Sequence, residues 1–120
     1  MVTLYYFAAL NNFLVAGTGN KVEDFGIGFY TKYGDGGVDI SPIADLLKSE
    51  VFELARHHNI IDEIITAKPT DGLWNDNRTD EEQIGATYDE LEKAMLQESK
   101  SNLNLSQREI EVMSLSLILI

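Results

Sequence analysis

Residues 13–21 read Phe13-Leu14-Val15-Ala16-Gly17-Thr18-Gly19-Asn20-Lys21. The apolar run at 13–16 stops at a glycine, which is typical of a buried parallel strand. A helix can begin at Lys21, so the stretch combines a strand, a glycine turn and a helix N-terminus. Backbone N–H groups in such a turn point outward together and favour an anion. The stretch therefore indicates an α/β fold with a candidate anion or nucleotide site.

The glycine turn leaves two interpretations open. It lacks the glycine that a dinucleotide-binding pattern needs where Val22 stands, and it lacks the Gly-Lys-Ser/Thr of a Walker loop. A tight strand-to-helix turn that binds nothing is the alternative. Glu23 and Asp24 follow within one helical turn, where carboxylates either hold a divalent cation against bound phosphates or complement the helix dipole.

The composition of the chain limits the classes of protein to which it can belong. The chain has 120 residues, no cysteine and a formal net charge of -11. This length fits one domain, and the lack of cysteine excludes disulfides and thiolate metal sites. An acidic chain does not offer the basic surface that nucleic-acid backbones require. Residues 1–16 contain no Lys or Arg, and the apolar run at 115–120 is short, so we expect neither a secretory signal nor a membrane span, and a cytoplasmic location.

Periodicity and capping signals predict a mostly helical chain with one or two short strands. A buried helix is expected over 3–13, and the clearest amphipathic helix over 42–58, where Ser41-Pro42 provides a strong start. A further helical turn is expected at 62–66. Three capping boxes predict the remaining helix starts: Thr79-x-x-Glu82, Thr87-x-x-Glu90 and Ser106-x-x-Glu109. Residues 97–104 are the expected flexible linker.

Residues 31–39 form the most unusual stretch, with glycines at 34, 36 and 37 among charged side chains. It must be a loop, and the glycines are expected to supply backbone conformations that other residues adopt at a cost. Such a loop either closes over a charged ligand, with Lys32 neutralising it, or is a solvated surface loop. Lys48 on the following helix is, from spacing alone, most simply a solvent-facing lysine. His57-His58 is assigned to a helix C-terminus and not to a metal site.

Read as a string, residues 3 to about 95 resemble the C-terminal half of the ammonia-dependent NAD+ synthetases. The order and spacing of six matching words agree with that family, and the word at 31–39 is the most specific. The words are Leu4-Tyr5-Tyr6, Val15-Ala16-Gly17-Thr18-Gly19-Asn20-Lys21, Thr31-Lys32-Tyr33-Gly34-Asp35-Gly36-Gly37-Val38-Asp39, Ser41-Pro42-Ile43-Ala44-Asp45-Leu46, Lys68-Pro69-Thr70 and Thr79-Asp80-Glu81-Glu82.

The resemblance implies an adenine-nucleotide alpha-hydrolase-like, Rossmann-like α/β fold and a homodimer. It implies a ligase that adenylates the nicotinate carboxylate of deamido-NAD+ with ATP and then lets ammonia displace AMP. Mg2+ is the implied cofactor, because the reaction brings several negative charges together. The chain contains no sign of a glutaminase domain, which makes free ammonia the simpler nitrogen source.

Carried over position by position, the resemblance assigns seven site residues. It places ATP contacts at Thr18, Lys48 and Thr70, deamido-NAD+ contacts at Lys32, Asp35 and Asp39, and a Mg2+ ligand at Glu23. The stretch after the metal carboxylate is one residue longer here than in most of the family, so Asp24 is the alternative ligand. Glu23 is preferred because it keeps its spacing from the threonine.

The chain also departs from the family pattern. It lacks the Ser-Gly-Gly-x-Asp-Ser pyrophosphate loop, the arginine-bearing segment expected before Thr3, and the His-Lys pair expected near the C-terminus. We therefore expect residues 1–120 to be the C-terminal portion of a synthetase domain, with 97–120 as its final linker and helix. The chain alone is expected to be inactive unless a second polypeptide supplies the other half. The alternative is an inactive remnant that only folds and dimerises, with apolar surface exposed beside 13–16.

Overall fold

The computed structural model describes residues 1–98 and 105–118. Seven helical elements are present in those ranges, and the only strand-like feature there is a single parallel bridge. The elements are α1 (Val2–Asn11), the π-helix π1 (Lys21–Ile27), α2 (Lys48–His57), α3 (Asp62–Ile65), α4 (Asp80–Ile84), α5 (Tyr88–Glu98) and α6 (Gln107–Ile118). No helix among these is long and apolar enough to cross a membrane.

The predicted strand at 13–16 is present as an extended segment that pairs at one point. Ala16 forms a parallel bridge with Ile40, where the Gly17 amide donates to the Ile40 carbonyl at 2.7 Å. Val15 is buried, but Phe13 and Leu14 are exposed. The burial expected of this strand is therefore wrong for two of its residues, and the expected exposure of apolar surface beside it is confirmed.

Helix α1 confirms the helix predicted over 3–13, but the predicted burial is wrong. Ala8 is the one buried residue of this helix. Apolar side chains cover its whole circumference, and no other described element packs over them, so large residues such as Phe7 and Leu10 remain exposed.

The helix predicted from Lys21 is π1, a wider helix that ends at Ile27. Asn20 caps it, because its side-chain oxygen accepts hydrogen bonds from the amides of Val22 and Glu23 at 3.0 and 3.1 Å. Gly28 ends it in the left-handed region, at φ 65°. The helix therefore stops before Phe29.

The core forms where π1 packs on α5 and α6. Val22 is completely buried at its centre. The buried residues of this cluster are Val22, Ile27, Ala86, Tyr88, Leu91, Ala94 and Val112. This small core holds the start of α5 directly against π1.

The three capping boxes are confirmed. Thr79 begins α4, Thr87 precedes α5 and Ser106 precedes α6, and in each box the glutamate three residues on accepts a bond from the backbone amide. The helical turn at 62–66 is confirmed as α3. Of the linker expected at 97–104, α5 includes the first two residues, and 99–104 lie outside the described residues.

The helix predicted over 42–58 begins six residues later than expected, at Lys48. Residues 42–46 form turns, as the bond from the Leu46 amide to the Ile43 carbonyl shows. The carbonyl of Leu46 accepts from the Lys21 amide at 2.9 Å, and Leu47 is extended. A contact with a distant element therefore overrides the local Ser41-Pro42 start.

Candidate functional site

Four polar side chains from four helices meet beside the core, and we call them the Glu23 cluster: Glu23, Lys48, Asp80 and Tyr88. The Lys48 ammonium lies 2.8 Å from Glu23 Oε1. The Tyr88 hydroxyl donates to the same oxygen at 2.7 Å and lies 3.4 Å from Asp80 Oδ2. The Lys48 ammonium also lies 4.8 Å from the centre of the Tyr88 ring.

Local sequence explains the positions of three of these side chains, those of Glu23, Asp80 and Tyr88. The Asn20 cap fixes the first turn of π1, which carries Glu23. Asp80 and Tyr88 each follow a capping threonine, so both stand at the first position of their helices. Gly85 ends α4 in the left-handed region, at φ 83°, and this tight connection brings the starts of α4 and α5 to the same place.

The cluster shifts the pKa values of its two carboxyl groups in opposite directions. Burial opposes the ionisation of Glu23, but hydrogen bonds from Lys48 and Tyr88 outweigh it and lower the pKa of Glu23. Burial raises the pKa of Asp80, and the nearby Glu23 charge raises it further. Asp80 Oδ1 is buried without a hydrogen-bond partner among the described residues. Burial and the Glu23 carboxylate also raise the pKa of Tyr88, so its hydroxyl stays protonated as a donor.

The carboxylate that lies against the backbone of the glycine turn is that of Asp24, and not that of Glu23. A Cβ atom on Gly19 would overlap the Asp24 carboxylate. Burial, then Glu23 and Asp35, raise the pKa of Asp24. Thr18 is exposed on the same turn. A carboxylate therefore lies where the sequence pattern favours an anion.

The loop at 31–39 is confirmed as a loop, but the expected role of its glycines is wrong. Positive φ occurs at none of the three. A Cβ would instead overlap the Thr31 side chain at Gly34 and the Tyr30 ring at Gly36, and at Gly37 it would lie a tight 3.1 Å from the Lys32 carbonyl oxygen. Asp35 closes the loop by accepting from the amide and hydroxyl of Thr31, each at 2.9 Å.

The remaining assigned residues lie apart from the Glu23 cluster. Lys32 is exposed, with its ammonium 5.3 Å from the Tyr33 ring. Asp39 accepts from the Val15 amide at 2.8 Å and so holds the bridge segment. Thr70 donates to the Arg78 carbonyl at 3.0 Å and closes the loop that contains Trp74. Of the seven assigned residues, Glu23 and Lys48 are in direct contact.

A cleft of about 510 Å³ lies beside the glycine loop. Its walls come from residues 28–31, Asp35, Asp71 and Leu73. The cleft joins the loop expected to bind a ligand to the loop that follows Thr70. Asp35, an assigned ligand-binding residue, contributes to this cleft.

Comparisons with known proteins assign the chain to a family. The family model described as NAD synthase matches residues 1–117. The chain belongs to the NAD synthase family. The resemblance drawn from the six sequence words is thereby confirmed.

The relatives that this NAD synthase family member matches are NH(3)-dependent NAD(+) synthetases, and they are longer than this chain. An NH(3)-dependent NAD(+) synthetase from Carboxydothermus hydrogenoformans is 51% identical over 96 residues, which is 80% of this chain and 39% of the relative. One from Archaeoglobus fulgidus is 52% identical over 95 residues, 79% of this chain and 38% of the relative. The chain thus spans about two fifths of the length of these relatives.

Solved structures confirm the Rossmann-like adenine-nucleotide alpha-hydrolase class. NMN synthetase from Francisella tularensis superposes with a TM-score of 0.82 at 34% identity, covering 98% of this chain and 47% of that one. An NH3-dependent NAD synthetase from Campylobacter jejuni, in complex with nitrate, gives a TM-score of 0.65 at 28% identity, covering 95% and 44%. The fragment itself is mostly helical, as expected.

Among the described residues, no group of three metal-ligating side chains is assembled. Glu23 offers one carboxylate, next to the Lys48 ammonium. Mg2+ is commonly bound by one or two carboxylates together with substrate phosphates and water, so this donor set fits a cation that arrives with a nucleotide.

Sequence reasoning assigned no role to Asp80 or Tyr88. Asp80 stood within a matched family word, and Tyr88 directly followed a capping threonine. These signals place both residues at helix starts but do not reveal that the starts meet. The buried, unpartnered oxygen of Asp80 is visible only in the folded chain.

Proposed function

We propose that this NAD synthase family chain supplies part of the ATP site of a ligase that amidates deamido-NAD+ with ammonia, converting ATP to AMP and diphosphate. The contact between Lys48 and Glu23, 2.8 Å long, carries the proposal. It joins the residue assigned to the ATP phosphates to the residue assigned to Mg2+. These two residues lie 25 positions apart in the sequence.

The proposed reaction has two steps. A nicotinate carboxylate oxygen attacks the α-phosphorus of ATP, and diphosphate leaves with the electron pair of the broken P–O bond. Ammonia then attacks the activated carbonyl carbon, loses a proton, and AMP leaves. The Lys48 ammonium neutralises phosphate charge, and bound Mg2+ would offset the rest of it. Glu23 holds the Lys48 ammonium and would hold Mg2+ through the same carboxylate.

The other assigned residues are proposed to contact the substrates at the edge of this centre. Thr18, exposed on the glycine turn, and Thr70 would contact ATP. Lys32, Asp35 and Asp39 would contact deamido-NAD+, with Lys32 the most open of the three. The family words that contain these five residues support these roles. Asp35 and Asp39 already accept internal hydrogen bonds, so their contacts to substrate would use the remaining lone pairs.

We propose further that the chain works as a homodimer in the cytoplasm, with free ammonia as the nitrogen source. The exposed apolar surface of α1 supports association, because contiguous apolar patches mark interfaces. Residues 97–120 are proposed as the final linker and helix of the synthetase domain. The supply of ATP inside cells supports the location.

The Francisella tularensis NMN synthetase supports a second candidate substrate. Its TM-score of 0.82 exceeds the 0.65 of the Campylobacter jejuni NAD synthetase. The same activation chemistry on nicotinate mononucleotide would give the corresponding amide. Deamido-NAD+ and nicotinate mononucleotide carry the same nicotinate carboxylate, and only deamido-NAD+ carries the adenylyl group.

The proposal is tested by supplying the part of a relative that this chain does not match. The chain is mixed with the segment of the Carboxydothermus hydrogenoformans relative that precedes its matched region, and AMP and amide product are measured with each acceptor. We expect product only when both polypeptides are present, and a loss of about 100-fold in Lys48→Met. Lys93→Met, which changes an exposed lysine on α5, is the matched control. If no mixture forms product, the inactive remnant is the correct interpretation.

A further inference from the structure

Besides Tyr88, helix α5 contacts the first turn of α2 through an acidic residue, Glu92. Tyr88 and Glu92 are four positions apart and therefore lie on the same side of α5. Tyr88 reaches the Lys48 ammonium with its ring, at 4.8 Å. Glu92 reaches Ser49, the next residue along α2. One face of α5 thus holds both the tip of the Lys48 side chain and the backbone beside it.

The contact between Glu92 and Ser49 is a two-pronged hydrogen bond. Glu92 Oε1 accepts from the Ser49 amide at 2.8 Å, and Oε2 accepts from the Ser49 hydroxyl at 2.7 Å. Glu92 is buried, with 9% of its surface exposed. The fork fixes the position of Ser49 because two bonds of different direction share one rigid carboxylate.

The start of α2 needs such an acceptor. Leu47 stands at the N-cap and has no side-chain oxygen, so the first amides of α2 lack a partner of the usual kind. Glu50 satisfies the Leu47 amide at 2.7 Å. Glu92, from a different helix 43 positions away, satisfies the Ser49 amide.

We propose that Glu92 is a positioning residue for Lys48. By holding Ser49, Glu92 sets where α2 begins and where the Lys48 Cα lies, so that the ammonium reaches Glu23 and, on the proposed function, the ATP phosphates. Lys48 is the first residue of α2. A shift of that first turn would move the ammonium away from both partners.

The test uses three variants of the full chain first, with Ser49→Ala as a fourth, milder variant. Glu92→Leu removes the fork and keeps most of the volume. Glu92→Gln keeps both bonds, because its oxygen can accept from the Ser49 amide and its NH2 can donate to the hydroxyl. Glu53→Leu is the control, since Glu53 is exposed on α2. The first readout is NMR of the Lys48 ammonium and of Ser49 amide exchange in the chain alone.

We expect Glu92→Leu to speed Ser49 amide exchange by about tenfold and to shift the Lys48 ammonium signal to that of a free lysine. Glu92→Gln should restore both signals, and Glu53→Leu should change neither. Protection of the Val22 amide reports whether the core is intact. If the core opens, Ser49→Ala, which removes one prong, should give a smaller shift of the same sign. An unchanged Lys48 signal in a folded Glu92→Leu or Ser49→Ala chain would overturn the proposal.

A second readout separates this inference from the proposed function. In the two-polypeptide assay, Glu92→Leu should raise the KM for ATP more than it lowers kcat, and Glu92→Gln should rescue it. If the NMR signals respond as expected but no mixture binds or consumes ATP, the positioning role is supported and the proposed function fails. If ATP is consumed and the KM is the same in Glu92→Leu, the positioning role fails alone.

Discussion

At the scale of single residues, the Glu23–Lys48 pair dominates the candidate site. The two side chains are 16% and 17% exposed, so their attraction is screened less than at an open surface. Tyr88 adds a hydrogen bond to the same carboxylate. We therefore expect the contact between Glu23 and Lys48 to contribute a measurable amount to the free energy of unfolding.

Replacing Lys48 by Met should lower the free energy of unfolding by about 1–3 kcal/mol, because Glu23 then remains partly buried without a cation and close to Asp80. The double variant Glu23→Gln/Lys48→Met should lose less than the sum of the two single variants. Urea unfolding of all four proteins measures the coupling. Additive losses would show that the contact contributes nothing to stability.

The sequence could predict some of these residues and not others. The resemblance assigned Glu23 and Lys48, which each lie two residues after a family word, so their identity was predictable. Their contact was not, because it depends on where α2 begins, and residues distant in sequence, Lys21 and Glu92, bond to the backbone there. Asp80 was in a family word, but its buried oxygen arises only from the meeting of α4 and α5.

At the scale of elements, local capping decides most helix starts. Boxes such as Thr79-x-x-Glu82 were predictable because both partners lie within four residues. The start of π1 is different, because it depends on a single buried side chain, that of Asn20, and not on a reciprocal pair. The predicted start at Ser41-Pro42 was wrong because no local signal reports the bond between Lys21 and Leu46.

Replacing Asn20 by Ala should destabilise the chain by about 1–2 kcal/mol, because the amides of Val22 and Glu23 lose their shared acceptor in a buried position. Asn75→Ala, at an exposed turn position, is the matched control and should have little effect. Thermal unfolding of both variants measures the difference. Equal melting temperatures would contradict the role of Asn20 as the cap of π1.

The contact between Glu90 on α5 and Arg108 on α6 should weaken in acid. Hydrogen bonds from Arg108 and from the Thr87 amide lower the pKa of Glu90 from 4.5 to about 2. Since the folded-state pKa is depressed, ionised Glu90 stabilises the fold above about pH 4.5, and this contribution is lost as pH falls toward 2. Glu90→Gln should therefore show a smaller loss of stability between pH 6 and 3 than the parent chain.

Urea midpoints at each pH measure this effect, with Glu53→Gln as a control on an exposed carboxyl outside the α5–α6 contact. The control should follow the parent chain. Parallel pH curves for the parent and Glu90→Gln would contradict the assigned contact between Glu90 and Arg108.

At the scale of the whole molecule, one segment carries a dense series of exposed apolar side chains. Side chains of α1 and of the bridge segment, among them Phe7 and Phe13, are exposed together, and they line a groove of about 430 Å³ with Leu4 and Val15. The α/β class was predictable from the strand, turn and helix at 13–21. The exposure of α1 was not, because its apolar pattern is that of a buried helix.

We expect the chain to self-associate at micromolar concentration through this surface, and Phe7→Glu should weaken that association at least about tenfold. Leu73→Glu, which changes another exposed apolar side chain, in the loop after Thr70, is the control. Sedimentation velocity over a concentration series measures the effect. A monomeric parent chain, or equal weakening by the control, would contradict an interface at α1.

The most direct test of the central claim is calorimetric titration of Mg2+–ATP into the chain mixed with the upstream half of the Carboxydothermus hydrogenoformans relative. If Glu23 and Lys48 together form part of the ATP site, the mixture binds Mg2+–ATP, and Lys48→Met weakens binding by about tenfold or more while Lys93→Met leaves it unchanged. Equal binding by the parent mixture and by Lys48→Met would contradict the claim.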